Sequence, residues 1–171
     1  ETADGGYIIG ATTWSYGSGE SDFMVVKLSP AGNTDWIRTY GGTRRDDLSY
    51  IKRTADGKFI VAGTTSSFGN LNSHAWFLLI SSEGIPIWEK AFIGNTEGYG
   101  NSAIPTLDGG FVLAGSSYQS SPGAVPKSWI IKVDHEGNRR WEYTYTYGDN
   151  YNSVTEVIET SAGELVVAGL Q

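Results

Sequence analysis

An all-β fold built from four-stranded antiparallel units is what this 171-residue sequence predicts, with about 52 residues to each unit. Three observations predict it. A twelve-residue stretch occurs four times, at residues 2–13 (TADGGYIIGATT), 54–65 (TADGKFIVAGTT), 106–117 (TLDGGFVLAGSS) and 160–171 (TSAGELVVAGLQ), with starts 52, 52 and 54 residues apart. Between the copies, short apolar or mixed runs alternate with glycine-containing turns, four runs to a repeat. Nowhere do apolar residues recur at helical spacing over ten residues. The repeats run 2–53, 54–105 and 106–159, followed by a partial 160–171, in one domain spanning 1–171.

Each repeat opens on a turn, Asp4-Gly5, Asp56-Gly57 or Asp108-Gly109. Asp-Gly is expected to supply the positive φ values of a tight hairpin. In the fourth copy the aspartate is Ala162 and Gly163 keeps the permissive place. The runs that follow, YIIGA, FIVAG and FVLAG, are apolar on both faces, as expected of a strand covered on both sides. Variable loops come next, at 14–21, 66–73 and 118–127. They lead to the strands DFMVVKL, AWFLLI and SWIIKV, which place Met24, Trp76 and Trp129 at equivalent positions. Turns at Gly32, Gly84 and Gly137 precede Trp36, Trp88 and Trp141, which open the strands WIRTY, WEKAF and WEYTY. Charges alternate with aromatics there, as suits an exposed edge. Polar loops at 41–47, 94–100 and 147–152 then lead to a return strand and the next turn.

Four short antiparallel strands per repeat are the signature of a β-propeller blade. One blade cannot bury its apolar faces alone, so neighbours must stack. Each recurring tryptophan then removes about 150–250 Å² from water, worth at most about 4–6 kcal/mol.

The succession D-G-G-(Y/F)-I-V-A-G-T-T, D-F-x-(V/L)-x-K-L, G-N-x-x-W and Y-G-G resembles the SBBP-type and related repetitive β-propeller proteins of bacteria and archaea, over essentially the whole chain. The resemblance implies an exported or surface protein and points to no particular activity. By analogy with WD-type propellers, the strand from Leu48 to Thr54 is expected innermost and the Trp36 strand outermost. The first blade then lacks its inner strand and the last has only two strands. The chain is expected to be either part of a larger propeller or a protomer whose ring another chain completes. In the second case open blade edges self-associate.

The composition excludes several functions. A net charge of −7 argues against nucleic acid and against an anionic membrane surface. No cysteine is present, which removes disulfides and thiolate chemistry. No apolar run is long enough for a membrane helix, so no membrane insertion is expected. No cofactor or metal site is expected: there is no D-x-D-x-D-G loop, and His74 and His135 are placed on opposite faces.

In this topology the variable loops and the polar loops emerge on one face, and the other face carries tight turns. The candidate ligand-binding residues are Trp14, Tyr16, Arg44, Arg45, Asp46, Asp47, Phe68, Glu97, Tyr99, Tyr118, Asp149 and Tyr151, with Asn70, His74, Lys127 and Asn150 beside them. Arg44 or Arg45 can grip a carboxylate or sulfate, and the aspartate pair a cation. The alternative is a loop that compensates its own charges. No catalytic constellation stands out. The expectation is a non-enzymatic scaffold binding protein or glycan through the loop face. Two alternatives stand beside it: a structural assembly subunit, and a carbohydrate hydrolase or lyase using Asp46, Glu97 and Asp149.

Overall fold

The computed structural model describes residues 1–69, 72–92, 96–119, 125–146 and 152–170, with the backbone alone at 96, 118 and 119. Among them are 13 strands and no helix. Four antiparallel sheets follow one another in chain order. Sheet I holds β1 (Tyr7–Thr13), β2 (Asp22–Leu28) and β3 (Thr34–Tyr40). Sheet II holds β4 (Asp46–Arg53), β5 (Phe59–Thr65), β6 (His74–Ile80) and β7 (Pro86–Phe92). Sheet III holds β8 (Thr96–Pro105), β9 (Phe111–Gln119), β10 (Lys127–Val133) and β11 (Arg139–Tyr145). Sheet IV holds β12 (Ser153–Glu159) and β13 (Leu165–Leu170). Within each sheet, strands pair in the order of the chain.

The opening turn differs from its expectation in one respect. Only glycine takes positive φ: Gly5, Gly57, Gly109 and Gly163 lie between 78° and 84°, and no other residue type does so among the described residues. The aspartate instead works through its carboxylate. Asp4 accepts from the Thr2 hydroxyl, the Gly6 amide and Lys27 Nζ, and Asp108 accepts from Thr106, Gly110 and Lys132 in the same way.

A second recurring device shapes the sheets. The first strand of sheets II, III and IV bulges where it passes the Ala-Gly pair of its neighbour, at 48–50, 100–102 and 154–156. A Cβ on Gly63, Gly115 or Gly169 would lie 2.2, 1.8 or 2.2 Å from the carbonyl oxygen of Asp47, Tyr99 or Ser153. Glycine is therefore required wherever such a bulged strand is paired. The equivalent position in β1, which pairs only with β2, is Ala11.

Successive sheets pack face to face. Phe23 and Val25 of sheet I meet Val61, Trp76, Leu78 and Ile80 of sheet II. Ile60, Phe77 and Leu79, on the other face of sheet II, meet Leu113, Trp129 and Ile131 of sheet III. Val112, Ala114 and Ile130 meet Val154 and Val157 of sheet IV. All seven residues of β6 are buried. The first strands of sheets II, III and IV, β4, β8 and β12, touch in succession. A backbone bond ties each sheet to the next beside them: Asp46 N to Ser21 O at 2.9 Å, Gly98 N to Ser73 O at 3.0 Å and Asn152 N to Pro126 O at 3.0 Å. Tryptophans of β3 and β7 seat on the next sheet's turn. Trp36 lies against Gly84 and Trp88 against Gly137, with Trp88 Nε1 donating to His135 O at 3.1 Å.

Candidate functional site

The expected loop face carries a small polar cavity of about 280 Å³ lined by Arg45, Asp47, Thr64, Ser66, Ser73 and Tyr99. It lies where β4 and β8 begin, beside the loop joining β5 to β6. Three residues singled out in the sequence, Arg45, Asp47 and Tyr99, converge there. Arg45 Nε sits 2.5 Å from Asp47 Oδ2, and the Ser21 hydroxyl donates to Asp47 Oδ1 at 3.1 Å. Ser66 and Ser73 hydroxyls lie 3.3 Å apart. The arrangement offers an anion, a guanidinium and several hydroxyls around one opening, which suits a polyhydroxylated or mixed-charge ligand.

The neighbouring residues of the charge cluster do other work. Arg44 is exposed and its amide donates to the Ser67 hydroxyl at 3.1 Å. Asp46, expected at the binding face, is fully buried: its Oδ2 accepts from Gly42 N at 2.8 Å and the Ser67 hydroxyl at 2.6 Å. It organises the turn that delivers β4, so the aspartate pair divides into a buried brace and a cavity wall. Asp22 does the same for the preceding loop, accepting from Ser18 N at 2.9 Å. The Thr13 hydroxyl accepts from Ser15 and Tyr16 amides, which leaves the Trp14 and Tyr16 rings 69% and 72% exposed.

Phe68 is not a free loop aromatic. Its ring packs 5.1 Å from Trp76 at the edge of the sheet I–sheet II core. Glu97, Tyr99 and Tyr118, expected in loops, lie in strands. β8 starts at Thr96 and β9 runs to Gln119, with Glu97 opposite Tyr118 and Tyr99 opposite Ser116. The Gly98 and Gly100 positions let this hairpin extension run close to sheet II. His74 is buried, and loss of solvation lowers its pKa although the Glu97 charge opposes that shift. Lys127 is exposed. Asn70, Asp149, Asn150 and Tyr151 lie outside the described residues. Among the described residues no group of three His, Cys, Asp or Glu side chains stands close enough to hold a metal ion.

The turn face is richer than expected. Two cavities of about 470 Å³ lie there at equivalent places, one between sheets I and II and one between sheets II and III. In the first, Lys27 Nζ lies 2.9 Å from Asp4 and 3.1 Å from Asp35; the Thr2 hydroxyl and then Lys27 hold Asp4 far below the usual carboxylate range, and Asp4 in turn raises Lys27. In the second, Leu79 and Ile87 stand where Lys27 and Asp35 stand in the first. This cavity was legible in the sequence only as three polar-to-apolar changes, Leu79, Ile87 and Pro105, scattered through the second repeat.

No family model and no curated protein matches the chain. Solved structures do match its fold. A protein of unknown function from Bacteroides caccae is 13% identical with a TM-score of 0.58, covering 94% of this chain and 48% of that one. A mannose phosphorylase from Leishmania mexicana, solved with phosphate ion, is 12% identical with a TM-score of 0.54, covering 97% of this chain and 60% of that one. The chain thus spans half to three-fifths of the length of these structures. At such identities the likeness is one of fold: an all-β chain of successive antiparallel sheets.

Proposed function

We propose that the chain is a run of β-propeller blades serving as a non-enzymatic binding scaffold of an exported or surface prokaryotic protein, with its loop face as the recognition surface for a glycan or protein. The observation that carries this reading is the convergence of Arg45, Asp47 and Tyr99 with three hydroxyl-bearing side chains around one cavity. Exposed Trp14 and Tyr16 on the loop between β1 and β2 add aromatic surface that binds sugar faces or protein anchors without catalysis. The stacking of sheets in chain order, with β4, β8 and β12 in succession, supports the propeller reading. The bacterial and archaeal repeat resemblance supports the exported location.

A non-catalytic role is supported by the fate of the carboxylates that a hydrolase would use. Asp46 is spent on its own turn and Glu97 lies within β8. The test is a glycan array probed with the wild-type chain and with Arg45→Ala and Tyr99→Ala. Selective binding that both variants weaken at least tenfold supports the proposal. Binding indifferent to both substitutions sinks the loop-face site. Phosphate-dependent turnover of a mannoside would replace the scaffold with an enzyme.

A further inference from the structure

The two equivalent turn-face cavities invite comparison, because the repeats supply their own reference states. Four positions are apolar in the second repeat and polar in both siblings. Lys27 and Lys132 correspond to Leu79, Asn33 and Asn138 to Ile85, Asp35 and Arg140 to Ile87, and Arg53 and Glu159 to Pro105. Leu79, Ile87 and Pro105 line one cavity, together with Trp88 and Phe111. Ile85 belongs to the turn that leads into β7. Ile85 and Ile87 are 60% and 48% exposed. Their siblings show that the fold does not require apolar side chains at these places. Three such changes gather at this cavity, with Leu79 at its buried floor and Ile87 on its exposed wall, and leave an apolar surface open to an apolar occupant.

The rim states the charge of what covers it. Asp56 and Glu136 stand at the opening with Lys58, whose Nζ is 2.6 Å from Asp56. An exposed pair of this kind contributes little and is readily exchanged. Two carboxylates against one ammonium leave the rim negative, on a chain of net charge −7. We infer that this cavity docks a segment of a partner protein whose apolar side chain, aliphatic or aromatic, fills the space between Leu79, Ile87 and Trp88 while an adjacent lysine or arginine pairs with Asp56 and Glu136. An apolar anchor in a pocket with complementary charge at its rim is the arrangement that concentrates binding energy and partner choice. This site faces away from the Arg45–Tyr99 cavity and does not depend on it.

The probe is the acetylated, amidated tripeptide Lys-Phe-Lys, titrated against the isotope-labelled chain while the indole N–H resonance of Trp88 is followed. The expected result is saturable movement of that signal. Glu-Phe-Glu and Lys-Ala-Lys are each expected to bind at least tenfold more weakly. Ile87→Asp and Ile87→Arg install what sheets I and III already carry at this place, so the fold is retained, and each is expected to weaken binding at least fivefold. Asp56→Asn is expected to reduce the preference for Lys-Phe-Lys over Glu-Phe-Glu. The inference is overturned if Trp88 does not respond, if the three peptides bind alike, or if the sibling substitutions leave binding unchanged. It is also overturned if the Trp88 signal moves with protein concentration alone, since a second copy would then be the occupant.

Discussion

Strands β5 and β13 occupy the same place in their repeats and carry nearly the same residues, FIVAG and LVVAG, yet their surroundings are opposite. Phe59, Ile60, Val61 and Ala62 are buried, while Val166 and Val167 are 51% and 44% exposed. Both follow a turn with a positive-φ glycine and both pair with a bulged strand, but β5 also pairs with β6 on its other edge, whereas β13 is the edge of a two-stranded sheet. The difference in burial comes from that missing strand and from stacking. β5 has sheet I on one face and sheet III on the other, whereas in sheet IV it is β12 that packs on sheet III and of β13 only Leu165 joins it. Burial in this molecule is a property of neighbouring sheets, and stability should accumulate toward sheets II and III.

The largest effect that tests this comparison is at Trp76, which is buried opposite Gly63 and stacks 4.6 Å from Phe23. Trp76→Ala is expected to cost about 3–5 kcal/mol in urea unfolding. A sharper version uses one substitution at two equivalent places: Val61→Ala should cost about 2–3 kcal/mol and Val167→Ala less than about 0.5 kcal/mol. Equal losses would break the comparison. Gly63→Ala places a methyl against Asp47 O and the Phe23 ring, and about 1–3 kcal/mol of overpacking is expected. The reverse change at the equivalent β1 position, Ala11→Gly, relieves nothing and should not stabilise.

Smaller effects depend on pH. The Tyr40 hydroxyl donates to Gly84 O at 2.7 Å across the junction of sheets I and II, and burial pushes its pKa up to about 12. The folded value lies above the ordinary value of 10, so its contribution is complete below pH 10 and is lost as pH rises toward 12. Tyr40→Phe should flatten that alkaline loss in thermal melts; an unchanged profile would contradict it. The smallest effect is at the acid end. Asp4 and Asp108 are held well below the usual carboxylate range, first by the threonine hydroxyl and then by lysine. Their contribution is present above pH 4 and fades as pH falls. Asp108→Asn should reduce the acid sensitivity of melting slightly, and the fourth copy, with Ala162, has nothing to lose.

Much of this order was legible in the sequence because the chain repeats itself. The DG turns and the IVAG runs located β1, β5, β9 and β13, and recurring tryptophans located β3, β7 and β11. The β8–β9 extension was not legible, because Thr96–Gly100 reads as a polar glycine-rich loop until it finds Ser116–Gln119 as a partner. The burial of Asp46 was hidden for the same reason: a carboxylate that serves its own turn and one that faces a ligand have identical neighbours in sequence. Arg45, Asp47 and Tyr99 were picked out singly. Only the packing of β4 beside β8 shows that they share a cavity. The apolar changes at Leu79, Ile87 and Pro105 were visible in the aligned repeats, but their convergence required the stack.

Amide hydrogen exchange in the native state tests the central claim most directly, because it reads the opening free energy strand by strand. The expected result is greatest protection in β5, β6, β9 and β10, exchanging together in the slowest class, with β13 far less protected despite its matching sequence. Protection of β13 equal to that of β5 would contradict the account, since burial would then not follow from the neighbouring sheets.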